Sequence, residues 1–536
     1  MLIGDLLQRR ARISPETVYW EGAAGRCTYA QLNGAVNRLA HALRAEGWVP
    51  GTIVGIHADG GLPYAVVHFA AAKAGLVLAH LNPRYTPTEL AWAVNHCGCR
   101  ALFFGGDPMA SAAEARAESP GVKHWIALDG DDLPDWAVAL EGWSAGRPES
   151  DPAPPDWVKE SSPFQLLYTS GTTGYPKGAL ISHRSKLQLG TNHGLNLGLR
   201  PGDRVLSSLP MHHHYAQWLC LTAVPLVGAT VVHHPRFDVA ATWKALAQDG
   251  ITHLPGVPTT LTRLLAGLPA AAGSAPPAPA LRHVVYGGAP VQPALIPRLR
   301  AAFPAARLLQ GFGQTETGSC LVLHDADHEH RPDSLGRPDI FSEIRLLDEE
   351  GREVPRGEVG EIVARTPYLM NGYYGNPEAT AEYFHFGEDR GRTGDLAWQD
   401  EEGYFFLAGR KQELIITGGV NVYPAEVERV LLAHPAVREA AVYGTPHPDW
   451  GEAVTAAVIL HGSDTNSPAP SDSGDPGSPG AAALPGAPGA AALPSEAELT
   501  GHCRQSLAPY KCPKSIRILD DFPRNAAGKV LKRELG

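Results

Sequence analysis

The residues most suited to chemistry lie between Tyr168 and Gly178, in the stretch YTSGTTGYPKG, directly after an apolar run at 164–167. Glycines let backbone N–H groups approach an anion, hydroxyl groups add hydrogen-bond donors, and a lysine adds positive charge. The pattern predicts a loop that leaves a strand and wraps a phosphate chain. The predicted phosphate-binding residues are Thr169, Ser170, Gly171, Thr172, Thr173, Gly174 and Lys177.

The spacing in this loop differs from that of a Walker loop, G-x-x-x-x-G-K-[ST]. Pro176 directly precedes Lys177, and the glycines are placed differently. An ordinary P-loop NTPase is therefore disfavoured. The alternative is a polar surface loop, since Gly, Ser and Thr are common in loops.

A second stretch, GFGQTETG at 311–318, combines an aromatic ring with a carboxylate. The glycines on both sides of Phe312 expose a face suited to stacking on a planar base. The carboxylate of Glu316 could face a polyphosphate only with a cation between them, and Mg²⁺ with oxygen ligands is the usual choice. A tight turn with a solvated glutamate is the alternative.

Three further charged residues stand in short polar stretches. Asp395 in RTGDL lies at a predicted turn and could accept hydrogen bonds from ribose hydroxyls; a turn-forming or N-capping aspartate is the alternative. Arg410 lies in GRKQE, which by itself has the pattern of a charged hairpin turn. Lys529 ends PRNAAGK, where a mobile cation suits acyl-phosphate formation because negative charge accumulates in that step. A solvated surface lysine is the alternative.

Together with YGGAP at 286–290, these stretches have the order and approximate spacing of the adenylate-forming superfamily. The chain resembles this family of acyl-CoA synthetases, peptide-synthetase adenylation domains and beetle luciferases over nearly its whole length. The segment ITGGVNVYPAEVE at 416–428 is most similar to acyl- and aryl-CoA ligases. The resemblance implies activation of a carboxylic acid by ATP to an acyl adenylate, followed by transfer to coenzyme A.

Four other functions are compatible with parts of this pattern. An adenylation enzyme that loads a carrier-protein thiol and a half-enzyme that uses preformed adenylates stay open. A non-catalytic nucleotide binder is disfavoured by the retained Glu316, Lys529 and glycine loop. Luciferase-like oxidation shares the motifs but needs a special substrate.

The resemblance also implies roles for individual residues. Mg²⁺ would bind to Thr169 and Glu316, and Lys529 would bridge the substrate carboxylate and the α-phosphate. The catalytic residues would be Lys529, Glu316, His213 and Thr169. The nucleotide would also contact Gly288, Ala289, Gly311, Phe312, Gly313, Gln314, Thr315, Asp395 and Arg410. The acyl group would contact His213, Tyr215, Trp218, Val257, Gly287, Gly288, Thr317, Gly318 and Ser319, and coenzyme A would contact Gly418 and Gly419.

Two positions depart from the family pattern. Phe312 replaces the usual tyrosine and keeps a stacking surface, whereas Gln412 occupies a hinge position that usually holds Asp or Lys. With a neutral residue at the hinge, the sequence does not predict the relative rates of adenylation and thioester formation. Because the acyl-pocket residues carry no evident charge, an apolar acyl or aryl tail is expected.

Two histidine-rich stretches are candidate metal-binding sites. Successive residues in 212–214 point in different directions, and the stretch HDADHEH at 324–330 is expected to be an exposed loop. Neither pattern favours a metal site. Cys97 and Cys99 also lack a second Cys/His pair nearby, so buried free thiols are expected.

The alternation of helical and strand patterns predicts an α/β fold with doubly wound, mainly parallel sheets. A distorted antiparallel barrel is expected within 340–416, and a small mobile α+β domain after it. A chain of 536 residues exceeds a single core, so we expect domains at 1–409 and 410–536. The Ser/Pro/Gly/Ala-rich stretch 462–494 is expected to be a disordered insertion.

Composition excludes several classes of protein. A net charge of −11 without a basic block argues against nucleic-acid binding. No apolar run is long enough to span a bilayer, and the N-terminal residues predict a short amphipathic helix rather than a secretory signal. Seven scattered cysteines indicate a reducing, cytoplasmic location. The sequence is compatible with a monomer and with a homodimer.

Overall fold

Helices and parallel strands alternate along most of the chain, which confirms the predicted α/β class. The computed structural model describes residues 1–23, 25–106, 108–130, 133–169, 176–268, 278–289, 291, 294–461, 494–524 and 530–535. The chain divides into a first unit, Met1–Thr393 with Gln399–Phe406, and a second unit, Gly394–Trp398 with Leu407–Gly536. Of the predicted insertion at 462–494, residues 462–493 lie outside the described residues.

The helices range from one turn to about five turns. They are α1 (Ile3–Ile13), α2 (Tyr29–Ala45), α3 (Leu62–Ala74), α4 (Pro87–His96), α5 (Met109–Ala115), α6 (Leu140–Ser144), α7 (His183–Asn196), α8 (His214–Trp218), α9 (Val224–Val227), α10 (Val239–Gln248), α11 (Pro258–Ala266), α12 (Leu295–Ala302), α13 (Pro377–Tyr383), α14 (Pro424–Leu432) and α15 (Glu496–Ser506). A π-helical segment, Leu219–Ala223, joins α8 to α9.

The strands of the first half of the chain are β1 (Val18–Gly22), β2 (Gly25–Thr28), β3 (Ile53–Ala58), β4 (Val77–Leu81), β5 (Ala101–Gly105), β6 (His124–Ala127), β7 (Val138–Ala139), β8 (Pro163–Thr169), β9 (Lys177–Ser182), β10 (Arg204–Ser207), β11 (Thr230–His233), β12 (His253–Gly256) and β13 (His283–Gly287). Those of the second half are β14 (Arg307–Gln314), β15 (Gly318–Leu323), β16 (Arg337–Pro338), β17 (Glu343–Leu347), β18 (Gly360–Arg365), β19 (Gly372–Tyr373), β20 (Gly391–Gln399), β21 (Phe405–Arg410), β22 (Ile415–Thr417), β23 (Val420–Val422), β24 (Val437–His447), β25 (Gly451–Leu460) and β26 (Ser515–Ile518).

Two large sheets organise the first unit. Within the described residues, one sheet has the order β16-β15-β14-β13-β12-β10-β11-β1-β2, and the other has the order β19-β9-β8-β4-β3-β5-β6-β7. Strands β10 to β14 pair in parallel, as do β4 with β8 and β3 with its two neighbours. Antiparallel pairs lie at both ends of the first sheet and at the β19 end of the second, whereas β7 at its other end pairs in parallel with β6. Parallel strands place their carboxyl ends along one edge, where ligands usually bind.

Helix α3 is buried along nearly its whole length, from Tyr64 to Ala74. Its sequence is apolar almost all round, as expected for a helix enclosed by other elements. Its charged residue is Lys73, whose ammonium donates to Asn33, Asn37 and Asp151 at 2.6 to 2.7 Å. These contacts satisfy a cation that burial would otherwise destabilise.

A four-stranded sheet with the order β17-β18-β20-β21 occupies the predicted antiparallel region. In the second unit, β23, β22, β25 and β24 form a sheet to which β26 adds by pairing with β25. Helices α14 and α15 pack with this sheet around a separate apolar core. The second unit is thus the α+β domain that the sequence predicts.

Two local expectations were wrong, the second only in part. Asp395 lies inside strand β20 and is buried, rather than at a turn. The stretch 324–330 contains a short 3₁₀ turn, Asp325–Glu329, and although four of its residues are exposed as expected, His328 is buried. There the buried His328 ring lies 2.6 Å from the Tyr286 hydroxyl, so tertiary packing outweighs the polar local sequence.

Candidate functional site

Two strands from different sheets deliver the central polar residues of the first unit. Strand β8 ends at Thr169, and β14 ends at Gln314 before the turn that contains Glu316. Both ends lie at the carboxyl side of parallel strands, because β8 pairs with β4 and β14 pairs with β13. The fold therefore brings together residues that are about 150 positions apart in sequence.

Glu316 is the centre of this contact. Its side chain is buried, and its Oε1 accepts hydrogen bonds from the Thr169 hydroxyl and the Tyr373 hydroxyl, both at 3.0 Å. Burial, together with the neighbouring Glu316 carboxylate, raises the pKa of Tyr373, so this phenol stays protonated and donates. The result is a buried carboxylate with two hydroxyl donors.

Lys177 lies beside the same contact. It begins strand β9 and pairs in register with Thr169, and its ammonium lies 5.3 Å from the centre of the Tyr373 ring. The segment between these two strands holds the predicted residues Ser170, Gly171, Thr172, Thr173 and Gly174, and it lies outside the described residues. The described ends of the loop thus place the Thr169 hydroxyl against Glu316, and the Lys177 ammonium near Tyr373, which also contacts Glu316.

Close backbone approach explains two of the predicted glycines. A Cβ at Gly287 would lie 2.2 Å from the carbonyl oxygen of Gly311 on the neighbouring strand. A Cβ at Gly313 would lie 1.9 Å from the carbonyl oxygen of Gly318 across the β14–β15 hairpin. Both distances are far below van der Waals contact, so these positions require glycine.

Other predicted nucleotide residues surround these glycines. Phe312 is half-buried on β14, and Gln314 donates from its side chain to the carbonyl oxygen of Thr393 at 2.7 Å. Thr317 is buried and accepts from the Gln314 backbone N–H at 3.1 Å, which holds the turn. Gly288 and Ala289 are exposed after β13, whereas Gly311, Thr315 and Ser319 are half-buried.

The predicted acyl residues lie mainly around α8. The Tyr215 hydroxyl donates to the carbonyl oxygen of Val285 on β13, and the Tyr215 and Trp218 rings stack with centroids 5.3 Å apart. Trp218 also stacks on His193 of α7 at 4.1 Å. Val257 follows β12 and is half-buried. Tyr215 and Trp218 thus form an aromatic wall that is tied to the strand leading to Gly287.

His213 lies at the start of α8 and is exposed. The protein around its ring, together with the positive charge of Arg84, nevertheless lowers its pKa. The imidazole is therefore neutral near pH 7 and can accept or donate one hydrogen bond.

The second unit holds the remaining predicted residues. Asp395 and Arg410 form an ion pair at 3.0 Å between β20 and β21. Gln412 is exposed in a 3₁₀ turn, Lys411–Glu413, and Gly418 and Gly419 form the exposed turn between β22 and β23, with φ of 58° and 79°. Positive φ at both positions is typical of a tight hairpin turn.

Lys529 lies outside the described residues, but Lys532 is described. Its ammonium contacts Glu413 at 2.8 Å and Glu428 at 2.7 Å. Burial by itself would lower the pKa of Lys532. The two carboxylates raise this pKa by more than burial lowers it, so the net shift is upward. Lys532 therefore has a structural role within the second unit.

Comparison with known proteins decides the family. A model for AMP-binding enzymes matches residues 7–374, and a model for the C-terminal domain of AMP-binding enzymes matches residues 426–529. The chain belongs to the AMP-binding enzymes.

Individual AMP-binding enzymes match along almost the whole chain. A long-chain-fatty-acid–CoA ligase of Mycobacterium tuberculosis is 31% identical, covering 99% of this chain and 97% of the relative. Feruloyl-CoA synthase of an Amycolatopsis species is 34% identical, covering 99% and 98%. The structure of o-succinylbenzoate CoA synthetase from Bacillus subtilis, in complex with the acyl-adenylate intermediate OSB-AMP, has a TM-score of 0.81 at 26% identity, covering 99% and 97%.

These relatives confirm the function predicted from the motifs. The AMP-binding enzyme described here is an acyl-CoA synthetase, an AMP-forming acid–thiol ligase whose substrates include ATP and coenzyme A. No helix in the described parts of the chain is long and apolar enough to cross a bilayer.

Sequence reasoning missed several residues of this AMP-binding enzyme. Tyr373 follows Asn371-Gly372, and its contact with Glu316 was not foreseen because the two are 57 positions apart. Lys186 carries the only signal that could have been noticed, a lysine among otherwise uncharged residues 185–199. Its complete burial next to α8 is a tertiary property that the sequence does not display.

Proposed function

We propose that the loop at 169–177 binds the β,γ-phosphates of ATP and that Glu316 faces them through a divalent cation. The supporting observation is the buried contact of Glu316 with Thr169 and Tyr373, beside Lys177. In a chain of net charge −11, a polyphosphate needs such local positive groups.

The donor atoms around Glu316 suit Mg²⁺. A carboxylate and a threonine hydroxyl are oxygen ligands, and Mg²⁺ is usually bound by one or two carboxylates together with substrate phosphates and water. The described residues contain no cluster of three or more His, Cys, Asp or Glu side chains that could hold a metal by themselves. When bound, the cation would neutralise charge on the phosphates, and Thr169 and Glu316 would hold it.

Adenylation then requires positioning and charge neutralisation. A carboxylate oxygen of the acid attacks the α-phosphorus, the bond to the β-phosphate oxygen breaks, and pyrophosphate leaves. Lys529 would stabilise the charge that accumulates between the acid and the α-phosphate. Asp395 and Arg410 would hold the ribose, and Phe312 would stack on the adenine while Gly311, Gly313, Gln314 and Thr315 line that part of the site.

Thioester formation is the second half-reaction. The thiol of coenzyme A loses its proton to water, its sulfur bonds to the acyl carbon, the bond from that carbon to the AMP oxygen breaks, and AMP leaves. Gly418 and Gly419 would line the approach of the thiol, because a turn of two glycines lets a ligand come close to the backbone. The second unit would turn about Gln412 between the two half-reactions.

The acyl group would have an apolar or aryl body. Tyr215 and Trp218 supply flat apolar surfaces, and the neutral His213 would lie beside the acyl carbon. Val257, Gly287, Gly288, Thr317, Gly318 and Ser319 would complete the pocket. The acceptor would be coenzyme A rather than a carrier protein, and the enzyme would act in the cytoplasm.

The division of labour between the half-reactions can be tested on Lys529. We expect Lys529→Ala to lower acid-dependent pyrophosphate release by at least about 100-fold, because one charge contact to the transition state is lost. Conversion of a supplied acyl adenylate to the thioester should fall far less. Lys123→Ala, at an exposed lysine of the first unit, is the control. Equal losses in both half-reactions would refute this assignment.

A substrate screen tests the acceptor and the acyl class together. Pyrophosphate release is measured with fatty, aryl and amino acids, and with coenzyme A or a carrier-protein thiol as acceptor. We expect release with acids that have apolar or aryl bodies, and product formation with coenzyme A. Turnover that depends on the carrier protein would overturn the proposed acceptor.

A further inference from the structure

A cluster of polar side chains is buried behind the aromatic wall of the acyl pocket. It contains Lys186 and His193 of α7, His68 of α3, His80 of β4, Gln165 of β8, and His214 and Gln217 of α8; we call it the buried polar cluster. All members except His214 are at most 2% exposed. So many polar groups in one interior region of a soluble protein are unusual.

Hydrogen bonds connect part of the cluster. The Gln217 side-chain oxygen accepts from Gln165 at 2.8 Å and from the Lys186 ammonium at 3.3 Å. The Gln165 amide nitrogen also lies 3.0 Å from a ring nitrogen of His80, whose other nitrogen lies 2.7 Å from the Tyr64 hydroxyl. Four separate elements therefore converge on Gln217.

Other polar atoms of the cluster have no hydrogen-bond partner among the described protein atoms. They are both ring nitrogens of His68, both ring nitrogens of His193, Nε2 of His214 and Oε1 of Gln165. An unsatisfied buried polar group destabilises the folded protein, and native proteins contain only a few per 100 residues. Their concentration in one region indicates a place where a polar ligand group can bind.

Lys186 is the lysine of the cluster, and its described hydrogen-bond partner is uncharged. Its described hydrogen bond goes to the amide oxygen of Gln217 rather than to a carboxylate. Burial lowers the pKa of Lys186 well below its usual value, and His68, His80 and His214 lie close enough to interact with it electrostatically. An anion bound here would raise that pKa again and pair with the protonated amine.

The cluster borders the proposed acyl pocket. Trp218 stacks both on Tyr215 and on His193 of the cluster, so it contacts the acyl pocket residues and the cluster. Tyr215 is tied to Val285, two residues before Gly287. A substrate that extends past the aromatic wall would therefore meet Lys186 and the histidines at its far end.

We propose that the acid substrate of this enzyme carries a second carboxylate, separated from the reacting one by an apolar spacer. The spacer lies against Tyr215 and Trp218, and the second carboxylate binds to Lys186 with hydrogen bonds from the neighbouring histidines. This inference rests on the proposed acyl site and narrows its substrate class to dicarboxylic acids.

The test compares monocarboxylic and α,ω-dicarboxylic acids of equal chain length. Pyrophosphate release is measured with the full-length enzyme, ATP, Mg²⁺ and coenzyme A. At the chain length with the highest activity, we expect kcat/KM for the dicarboxylic acid to exceed kcat/KM for the monocarboxylic acid by about 100-fold. The reason is that a site built for a polar group rejects analogues that lack it. In Lys186→Met this ratio should fall at least tenfold. The matched control, Lys73→Met, replaces another buried lysine and should retain the ratio.

Each outcome decides the proposal. A wild-type ratio at or below one, or a ratio that Lys186→Met does not change, overturns it and assigns the cluster to bound water. If Lys186→Met does not fold, the wild-type ratio alone decides. If no acid releases pyrophosphate, the proposed function fails. In that case thermal unfolding is measured with each acid. A larger rise in Tm with the dicarboxylic acid than with the monocarboxylic acid supports a second carboxylate site, and equal rises reject it.

Discussion

At the scale of single residues, Glu316 is the position where loss of charge should matter most. It is buried and accepts hydrogen bonds from Thr169 and Tyr373, so its position is fixed before any ligand binds. Glu316→Gln keeps the size of the side chain but removes the negative charge. We expect at least about a 100-fold loss of kcat and a higher Mg²⁺ requirement in the pyrophosphate-release assay.

Tyr373→Phe is the matched comparison for Glu316→Gln. It removes one neutral hydrogen bond to the carboxylate but leaves its charge, so the loss should be roughly tenfold or less. A Glu316→Gln enzyme with the Mg²⁺ dependence of the wild type would show that this carboxylate does not face the cation.

The sequence predicted which residues belong to the site, but it did not predict which of them are buried. The motifs identified Thr169, Glu316 and Lys177, which the structure brings together. The burial of Asp395 within a strand and the burial of Lys186 depend on which distant elements pack around them. Such contacts cannot be inferred from local composition.

At the scale of secondary-structure elements, helix α7 carries a pair of glycines with opposite surroundings. A Cβ at Gly190 would lie 2.4 Å from the Thr222 methyl group on the π-helical segment, whereas a Cβ at Gly194 would meet nothing within 4 Å. We expect Gly190→Ala to destabilise the protein by about 1–3 kcal/mol through overpacking. Gly194→Ala should stabilise it by about 0.5–1 kcal/mol, because alanine favours the helix.

The two variants are compared by chemical denaturation under identical conditions. Midpoints that shift in the same direction for both would contradict the close packing of α7 on the π-helical segment. The amphipathic pattern of the N-terminal residues predicted α1, although not where it begins and ends. The π-helical segment was not predicted from the sequence; within it, Thr222 lies against Gly190 of the neighbouring helix α7.

At the scale of the whole molecule, buried histidines should make stability depend on pH. Burial lowers the pKa of four histidines of the first unit: His57 to about 4, His183 to about 3, His193 to about 3 and His233 to about 4. In the unfolded chain histidine titrates near 6.5. Between these values the unfolded state binds more protons, so the free energy of unfolding falls as the pH falls.

The expected result is a stable plateau above about pH 6.5 and a steep loss below it. Each group contributes about 1.4 kcal/mol per pH unit in that range, which is large against a typical total stability of about 5–15 kcal/mol. Thermal unfolding from pH 8 to pH 5 measures the slope. His233→Gln should reduce the slope, and His385→Gln, at an exposed histidine, should leave it unchanged. A Tm that stays constant over this range would contradict neutral burial of these rings.

The chain divides into two units, and the proposed reaction has two steps. The most direct test of activation through an acyl adenylate follows both steps in one experiment. The full-length enzyme is mixed with ATP labelled at the α-phosphate and an accepted acid, first without and then with coenzyme A. We predict acyl adenylate and one equivalent of pyrophosphate before coenzyme A is added, and one AMP and one thioester afterwards. Formation of ADP, or AMP that appears without the acid, would contradict activation through an acyl adenylate.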